Sequence, residues 1–134
     1  MVVDDGSHMN AHQIFSFRQL FDAVKDGGLY FIEDVQTSFW PGMVSGIIWD
    51  GRHIYDPEFS QTCVGYLLEL AKYLNYQELA DEHGINAEHV HLAKTIRRIS
   101  FEHNLIVIEK GRNDEPSNQL TCETSVGPLV KLEA

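Results

Sequence analysis

Near the start of the chain, Asp4-Asp5-Gly6-Ser7-His8-Met9-Asn10-Ala11-His12 gathers carboxylates and imidazoles in one short stretch. A second acidic pair, Glu33-Asp34, directly follows the apolar run Leu29-Tyr30-Phe31-Ile32. Asp5, Glu33 and Asp34 offer hard oxygen donors of the kind that suit Mg2+ or Mn2+, with water and substrate oxygens completing an octahedral shell. His8 is placed to take a proton from a hydroxyl polarised by such an ion, since an imidazole titrating near neutrality suits general-base work. His12, one helical turn further on, is a candidate to support His8 or to touch substrate. Phe39, Trp40 and Trp49 could wall a substrate pocket or simply pack as lid or core. Acidic pairs at strand ends also cap helices or face solvent, so the pattern alone is equally compatible with surface roles or other ligand binding. His8 and His12 have i,i+4 spacing, but no HExxH glutamate stands between them, which argues against zinc. His53, His83, His89, His91 and His103 share no inferable geometry.

These groups need elements to hold them. Val2-Val3 reads as a short strand ending at Asp4 or Asp5. Asn10 is expected to cap a helix over about 11–25, with Gln13 completing a capping box. Ile14, Phe17, Phe21 and Val24 recur at helical spacing and would face a sheet. Asp26-Gly27-Gly28 then stops the helix. Leu29 to Ile32 reads as a strand of a parallel sheet covered on both faces. A glycine- and aromatic-rich loop follows from Gly42 to Tyr55. Asp56 as cap and Pro57 as first residue predict a second helix, with Phe59, Cys63, Tyr66, Leu67, Leu70 and Leu74 as its buried stripe. The polar stretch from about 78 to 90 suggests a short turn of helix broken by Gly84. Ile96 to Phe101 and Leu105 to Lys110 must form an antiparallel hairpin, because Glu102-His103-Asn104 is too short for a parallel crossover. Beyond Gly111 a polar stretch with Pro116 and Pro128 suggests a disordered or loosely docked tail.

Strands separated by helices give an α/β layer structure, in which ligands collect beyond the C-terminal strand ends. Both acidic clusters fall at such ends, so two adjacent strands would deliver their carboxylates to one rim. At 134 residues the chain is sized for one domain. Its formal charge of -10 disfavours nucleic-acid backbones and anionic membranes as partners. The two cysteines, Cys63 and Cys122, make no disulfide framework. With no signal peptide and no apolar run near 18 residues, a cytoplasmic location is expected.

The stretch from Asp4 to His12, together with Asp26-Gly27-Gly28-Leu29-Tyr30-Phe31-Ile32-Glu33-Asp34-Val35-Gln36-Thr37-Ser38-Phe39-Trp40-Pro41, resembles the metal-dependent O-methyltransferases that act on sugars of macrolide antibiotics. The likeness is most specific through about residue 42, and Ile108-Glu109-Lys110-Gly111 also fits. Proteins named as cephalosporin hydroxylases are more distantly similar. The resemblance implies the C-terminal portion of a Rossmann-like class I fold, whose sheet has seven strands, with this chain matching the last four. It further implies S-adenosylmethionine as methyl donor, Asp5, Glu33 and Asp34 as magnesium ligands, and His8 as the base acting on an acceptor hydroxyl.

In that family a glycine-rich turn and an acidic strand end in the preceding part of the domain hold the methyl donor, and no such set stands before Val2. The expectation is therefore a partial catalytic domain over 1–111 with a polar tail over 112–134, weak or inactive alone, with a missing N-terminal half or a second copy in a homo-oligomer as partner. No cofactor-binding residue is assigned. Two other classes fit the same acidic rim: a non-enzymatic binding or assembly module, and a hydrolase or hydroxylase-like metal-dependent protein.

Overall fold

The computed structural model of the chain describes residues 1–40, 57–79 and 85–117. Strand β1 (Val2–Asp4) leads to helix α1 (Asn10–Leu20), which tightens into a 3₁₀ turn at Phe21–Ala23. Strand β2 (Leu29–Glu33) and a 3₁₀ turn at Val35–Phe39 follow. After another 3₁₀ turn at Pro57–Gln61 come α2 (Cys63–Lys72), a 3₁₀ segment at Tyr73–Glu78 and α3 (Ala87–Ala93). Strands β3 (Ile96–Glu102) and β4 (Leu105–Lys110) close the described chain.

The four strands form one mixed sheet in the order β1-β2-β4-β3. β1 and β2 are parallel, with Val2 opposite Tyr30 and Asp4 opposite Ile32. β4 inserts antiparallel between β2 and β3, so the predicted hairpin forms. Glu102 pairs with Leu105, leaving His103-Asn104 as the turn, and Asn104 takes the left-handed φ of 59° that such a tight connection requires. Gly27, with φ 75°, ends the α1 segment as expected, and its N–H bonds to the Lys110 carbonyl.

Phe17, Phe21 and Val24 from the α1 segment meet Tyr30 and Ile32 of β2, Ile106 and Ile108 of β4, and Cys63, Leu67 and Leu70 of α2 in one core. Burial alternates along β2: Tyr30 and Ile32 are buried, whereas Leu29, Phe31 and Glu33 are half-buried. The expectation of a strand covered on both faces is therefore not met among the described residues. Helices α1 and α2 pack on the Tyr30–Ile32 face, and the other face carries Val3, which is 48% exposed on the edge strand β1.

Two helix starts differ from the sequence reading. Asn10 is the first helical residue, and Met9 precedes it as a cap without a side-chain bond. Asn10 is fully buried. Its Oδ1 accepts from the Ser38 hydroxyl and from the Cys63 N–H, both at 2.8 Å, and its Nδ2 donates to the Thr37 carbonyl at 3.4 Å. Gln13 donates to the Glu33 carbonyl at 2.9 Å instead of reaching back to the helix start. The side chains read as a capping box thus tie α1 to β2, to the turn after it and to α2.

The second α-helix starts at Cys63, not at Pro57. Thr62 caps it, with Oγ1 accepting from the Gly65 N–H at 3.0 Å and donating to the Phe59 carbonyl at 2.7 Å. A Cβ on Gly65 would lie 1.9 Å from the Phe59 carbonyl oxygen, so only glycine lets the helix seat on the preceding turn. The buried stripe of α2 is as expected. Asp56, Gly84, the loop from Gly42 to Tyr55 and the tail beyond Ser117 lie outside the described residues.

The segment after β4 folds back on the helices. The Asn113 side chain donates to the Leu74 and Ala93 carbonyls, and its N–H donates to the Lys94 carbonyl. One amide thereby satisfies carbonyls at the C-terminal ends of two helical segments, where intrahelical partners are missing.

Candidate active site

The parallel pairing of β1 with β2 sends Asp5 and Asp34 off the same edge of the sheet, each one residue past its strand. Two left-handed residues shape the rim. Asp34 has φ 54° and ψ 40°, and His8 has φ 57°. Non-glycine residues rarely adopt this region, and they persist there when surrounding contacts fix them. At Asp34 three contacts do this. The Thr37 hydroxyl donates to its carbonyl at 3.4 Å, the Gln36 amide donates to its Oδ1 at 3.1 Å, and the next N–H, of Val35, bonds to the Asn104 carbonyl of the hairpin turn.

Ligand atoms of Asp5, His8 and Asp34 all lie within 4.8 Å of one another. His8 Nε2 is 3.5 Å from Asp34 Oδ2 and 3.9 Å from Asp5 Oδ1. No Lys or Arg pairs with either carboxylate among the described residues, so the cluster concentrates negative charge against a single imidazole. Its side chains are partly open to solvent, at 63% for Asp5, 45% for Asp34 and 32% for His8. Two converging carboxylates short of positive charge fit a hard divalent cation. The His8 Nδ1 atom is buried and makes no hydrogen bond among the described residues.

Glu33 does not join this group. As the last residue of β2 it stands opposite Leu105, and the alternation of the strand separates its side chain from the turn that carries Asp34. His12 is exposed and pairs with the Ser7 hydroxyl at 2.7 Å, outside the cluster. Phe39 and Trp40 are 43% and 44% exposed. Phe39 stacks near Phe59, with ring centroids 5.6 Å apart, and lines an apolar cavity of about 350 Å³ with Val35, Gln36, Val64, Phe101 and Ile106. Tyr30 is a core residue. His89 is buried between the rings of Tyr66 and Tyr73, far from any shared histidine geometry. Trp49, His53 and His83 lie outside the described residues.

Asp4 plays a different part from Asp5. Burial raises its carboxyl above the ordinary range, while the Gly6 N–H, Tyr30, His8 and Ser16 pull it back. Burial, reinforced by Asp4, raises the Tyr30 phenol as well. Burial and then Asp4 push the Cys63 thiol up to about 12, so it stays protonated and is no nucleophile at neutral pH. Sequence reasoning missed Gln36, whose neutral amide beside an acidic pair carries no motif; its place two residues after Asp34 was the available signal.

No protein-family model matches the chain. Over 115 residues, or 86% of this chain, it is 40% identical to mycinamicin VI 2''-O-methyltransferase of Micromonospora griseorubida. It is 38% identical over 116 residues to demethylmacrocin O-methyltransferase of Streptomyces fradiae, and 35% identical over 113 residues to a rhamnosyl tetracenomycin-C 2'-O-methyltransferase of Streptomyces olivaceus. The chain spans only 27% of the length of each of these relatives. Among solved structures it is similar to the mycinamycin-pathway methyltransferase MycE in complex with Mg and SAH, with a TM-score of 0.70 and 38% identity over 88% of this chain and 28% of that one. A further MycE complex, which also contains mycinamycin VI, matches with a TM-score of 0.67 and 41% identity over 86% of this chain and 26% of that one. The α/β sheet, the rim sequence and these likenesses agree: over most of its own length the chain is similar to one part of sugar O-methyltransferases of this kind.

Proposed function

We propose that this chain is the acceptor-activating part of a magnesium- or manganese-dependent O-methyltransferase, serving transfer of a methyl group from S-adenosylmethionine to a hydroxyl of a sugar or other natural product. The observation that carries this reading is the convergence of Asp5, Asp34 and His8 on one rim. When bound, the cation would make a nearby hydroxyl more acidic, and the methyl donor would supply an electrophilic carbon on sulfonium. The chain's own residues do the rest. Asp5 and Asp34 hold the cation through oxygens brought together by parallel strands. Glu33, adjacent in the chain, is the further carboxylate that the sequence resemblance puts forward for the cation. His8 Nε2 takes the acceptor's proton, and the two carboxylates beside it stabilise the imidazolium that results.

Bringing the carboxylates at two strand ends together with the base in the following turn supports reaction by proximity, since the hydroxyl meets both at once. The exposed Phe39 and Trp40 offer apolar faces beside the rim for the acceptor, and His12 lies near enough in sequence to contact it. The relatives' names, which specify sugar hydroxyls on macrolide or tetracenomycin scaffolds, support an amphiphilic acceptor of that class. A mycinamycin VI complex of a structural neighbour supports it as well.

The test is Mn2+ titration of the purified chain by calorimetry or electron paramagnetic resonance. Asp5→Ala and Asp34→Ala are each expected to weaken binding by more than about 100-fold, beyond the roughly 10- to 100-fold that loss of a supporting hydrogen bond costs. Affinity unchanged in both variants would remove the metal site. Because the chain spans only 27% of the length of the relatives it matches, we also propose that methyl transfer needs further polypeptide. Release of S-adenosylhomocysteine by the purified chain with a macrolide glycoside would overturn that second statement alone.

A further inference from the structure

Asp34 has two carboxylate oxygens with different neighbours. Oδ2 faces His8 Nε2 at 3.5 Å, and Oδ1 accepts from Gln36 Nε2 at 3.1 Å. A carboxylate only accepts hydrogen bonds, so the NH2 end of the Gln36 amide must be the end turned toward Asp34. This fixes the amide orientation by chemistry. Oε1 then points away from Asp34; it is buried and has no hydrogen-bond partner among the described residues. Gln36 is half-buried and lines the cavity walled by Val35, Phe39, Val64, Phe101 and Ile106 together with Glu102, His103 and Asn104, which withdraws it from open solvent. In such surroundings a charge-assisted hydrogen bond is stronger than at an open surface.

We propose that Gln36 is a positioning residue for Asp34: by holding Oδ1 it keeps Oδ2 aimed at the point where Asp5, His8 and a cation meet. Asp34 has an unusual backbone conformation, and its side chain is 45% exposed, so packing alone leaves the carboxylate free to rotate. Restricting it to one orientation reduces the entropy lost when a cation binds. The Thr37 hydroxyl on the Asp34 carbonyl fixes the backbone, and Gln36 fixes the side chain. The two contacts therefore divide the task between consecutive residues of one 3₁₀ turn.

This inference rests on the metal-binding reading above, and the experiment separates the two. Gln36→Leu and Gln36→Met keep the bulk of the side chain and remove its donor. Both are expected to weaken Mn2+ binding to the 134-residue chain by about 10-fold, with the urea midpoint unchanged. Wild-type affinity in both variants, in a chain where Asp34→Ala abolishes binding, overturns the role of Gln36 and spares the metal site. If the wild-type chain binds no Mn2+, or a Gln36 variant does not fold, the side-chain amide resonances of Gln36 decide. Asp34→Ala must shift them, and resonances left unmoved by that substitution overturn the proposal.

Discussion

Two polar groups lie only a few residues apart in sequence and are treated in opposite ways by the fold. At the rim, Asp5, His8 and Asp34 converge with excess negative charge and partial exposure. Beneath it, Asn10, Ser38 and the start of α2 form a fully buried knot in which donors and acceptors match. Asn10 Oδ1 takes the Ser38 hydroxyl and the Cys63 N–H, and Ser38 Oγ in turn accepts from the Val64 N–H at 3.1 Å. The knot spends its polarity on locking α1, the turn after β2 and α2 together. The rim keeps its polarity for something outside the chain. A site held this way is positioned from below by satisfied hydrogen bonds, while its own ionised groups contribute little to stability.

The largest effect that could break this contrast is on folding stability. Asn10→Leu is close in size but leaves the Cys63 N–H and the Ser38 hydroxyl without their acceptor in a buried place. At roughly 1–3 kcal/mol for each stranded group, the loss is expected to be about 3 kcal/mol in urea unfolding. Asp34→Asn removes only a partly exposed charge beside another of the same sign and keeps a residue type that tolerates the left-handed backbone, so its stability should stay within about 0.5 kcal/mol of wild type. The same two variants should exchange places when Mn2+ affinity is read. Equal destabilisation by both would show that rim and knot are one cooperative unit, and the division of labour argued here would fall.

How much of this was legible in the sequence follows the same division. The parallel pair and the shared rim came from apolar runs ending in acids, because strand length and alternation are local signals. The hairpin came from connection length, and the Gly27 stop from glycine's freedom at positive φ. Asn10 and Gln13 were misread because N-capping is also a local signal, whereas their true partners lie in the turn after β2 and in α2, brought near only by folding. The Asp56-Pro57 pair gives a local start signal ahead of the observed cap, Thr62, for a comparable reason. The contact that permits the later start is the bare Cα of Gly65 against the Phe59 carbonyl, which no propensity encodes. At the site, sequence pointed to Glu33 and Asp34 alike. Which of two consecutive acids faces Asp5 depends on where β2 ends and on the left-handed turn at Asp34, and that turn is fixed by the hairpin through the Asn104 carbonyl.

His89 lies between the two extremes, since it is buried like the knot and titratable like the rim. Its ring meets Tyr66 edge-on at 5.3 Å and Tyr73 at 5.1 Å, while its backbone N–H is capped by Asn86. Burial lowers its pKa below the ordinary 6.5; Glu88 and Glu69 act in the opposite direction, and Arg18 adds to the lowering. The unfolded chain therefore takes up this proton more readily than the folded one. The contribution to stability is complete above pH 6.5 and is lost as pH falls from there through the folded value. His89→Phe keeps a ring between the two tyrosines and removes the proton. Urea unfolding at a series of pH values should show wild type losing stability on acidification more steeply than this variant, by at most about 1.4 kcal/mol per pH unit. Asp4, whose raised pKa gives a slope of opposite sign at lower pH, is common to both proteins and cancels in the difference. Parallel pH profiles would show that His89 protonates in the fold without cost and would end its resemblance to the buried knot.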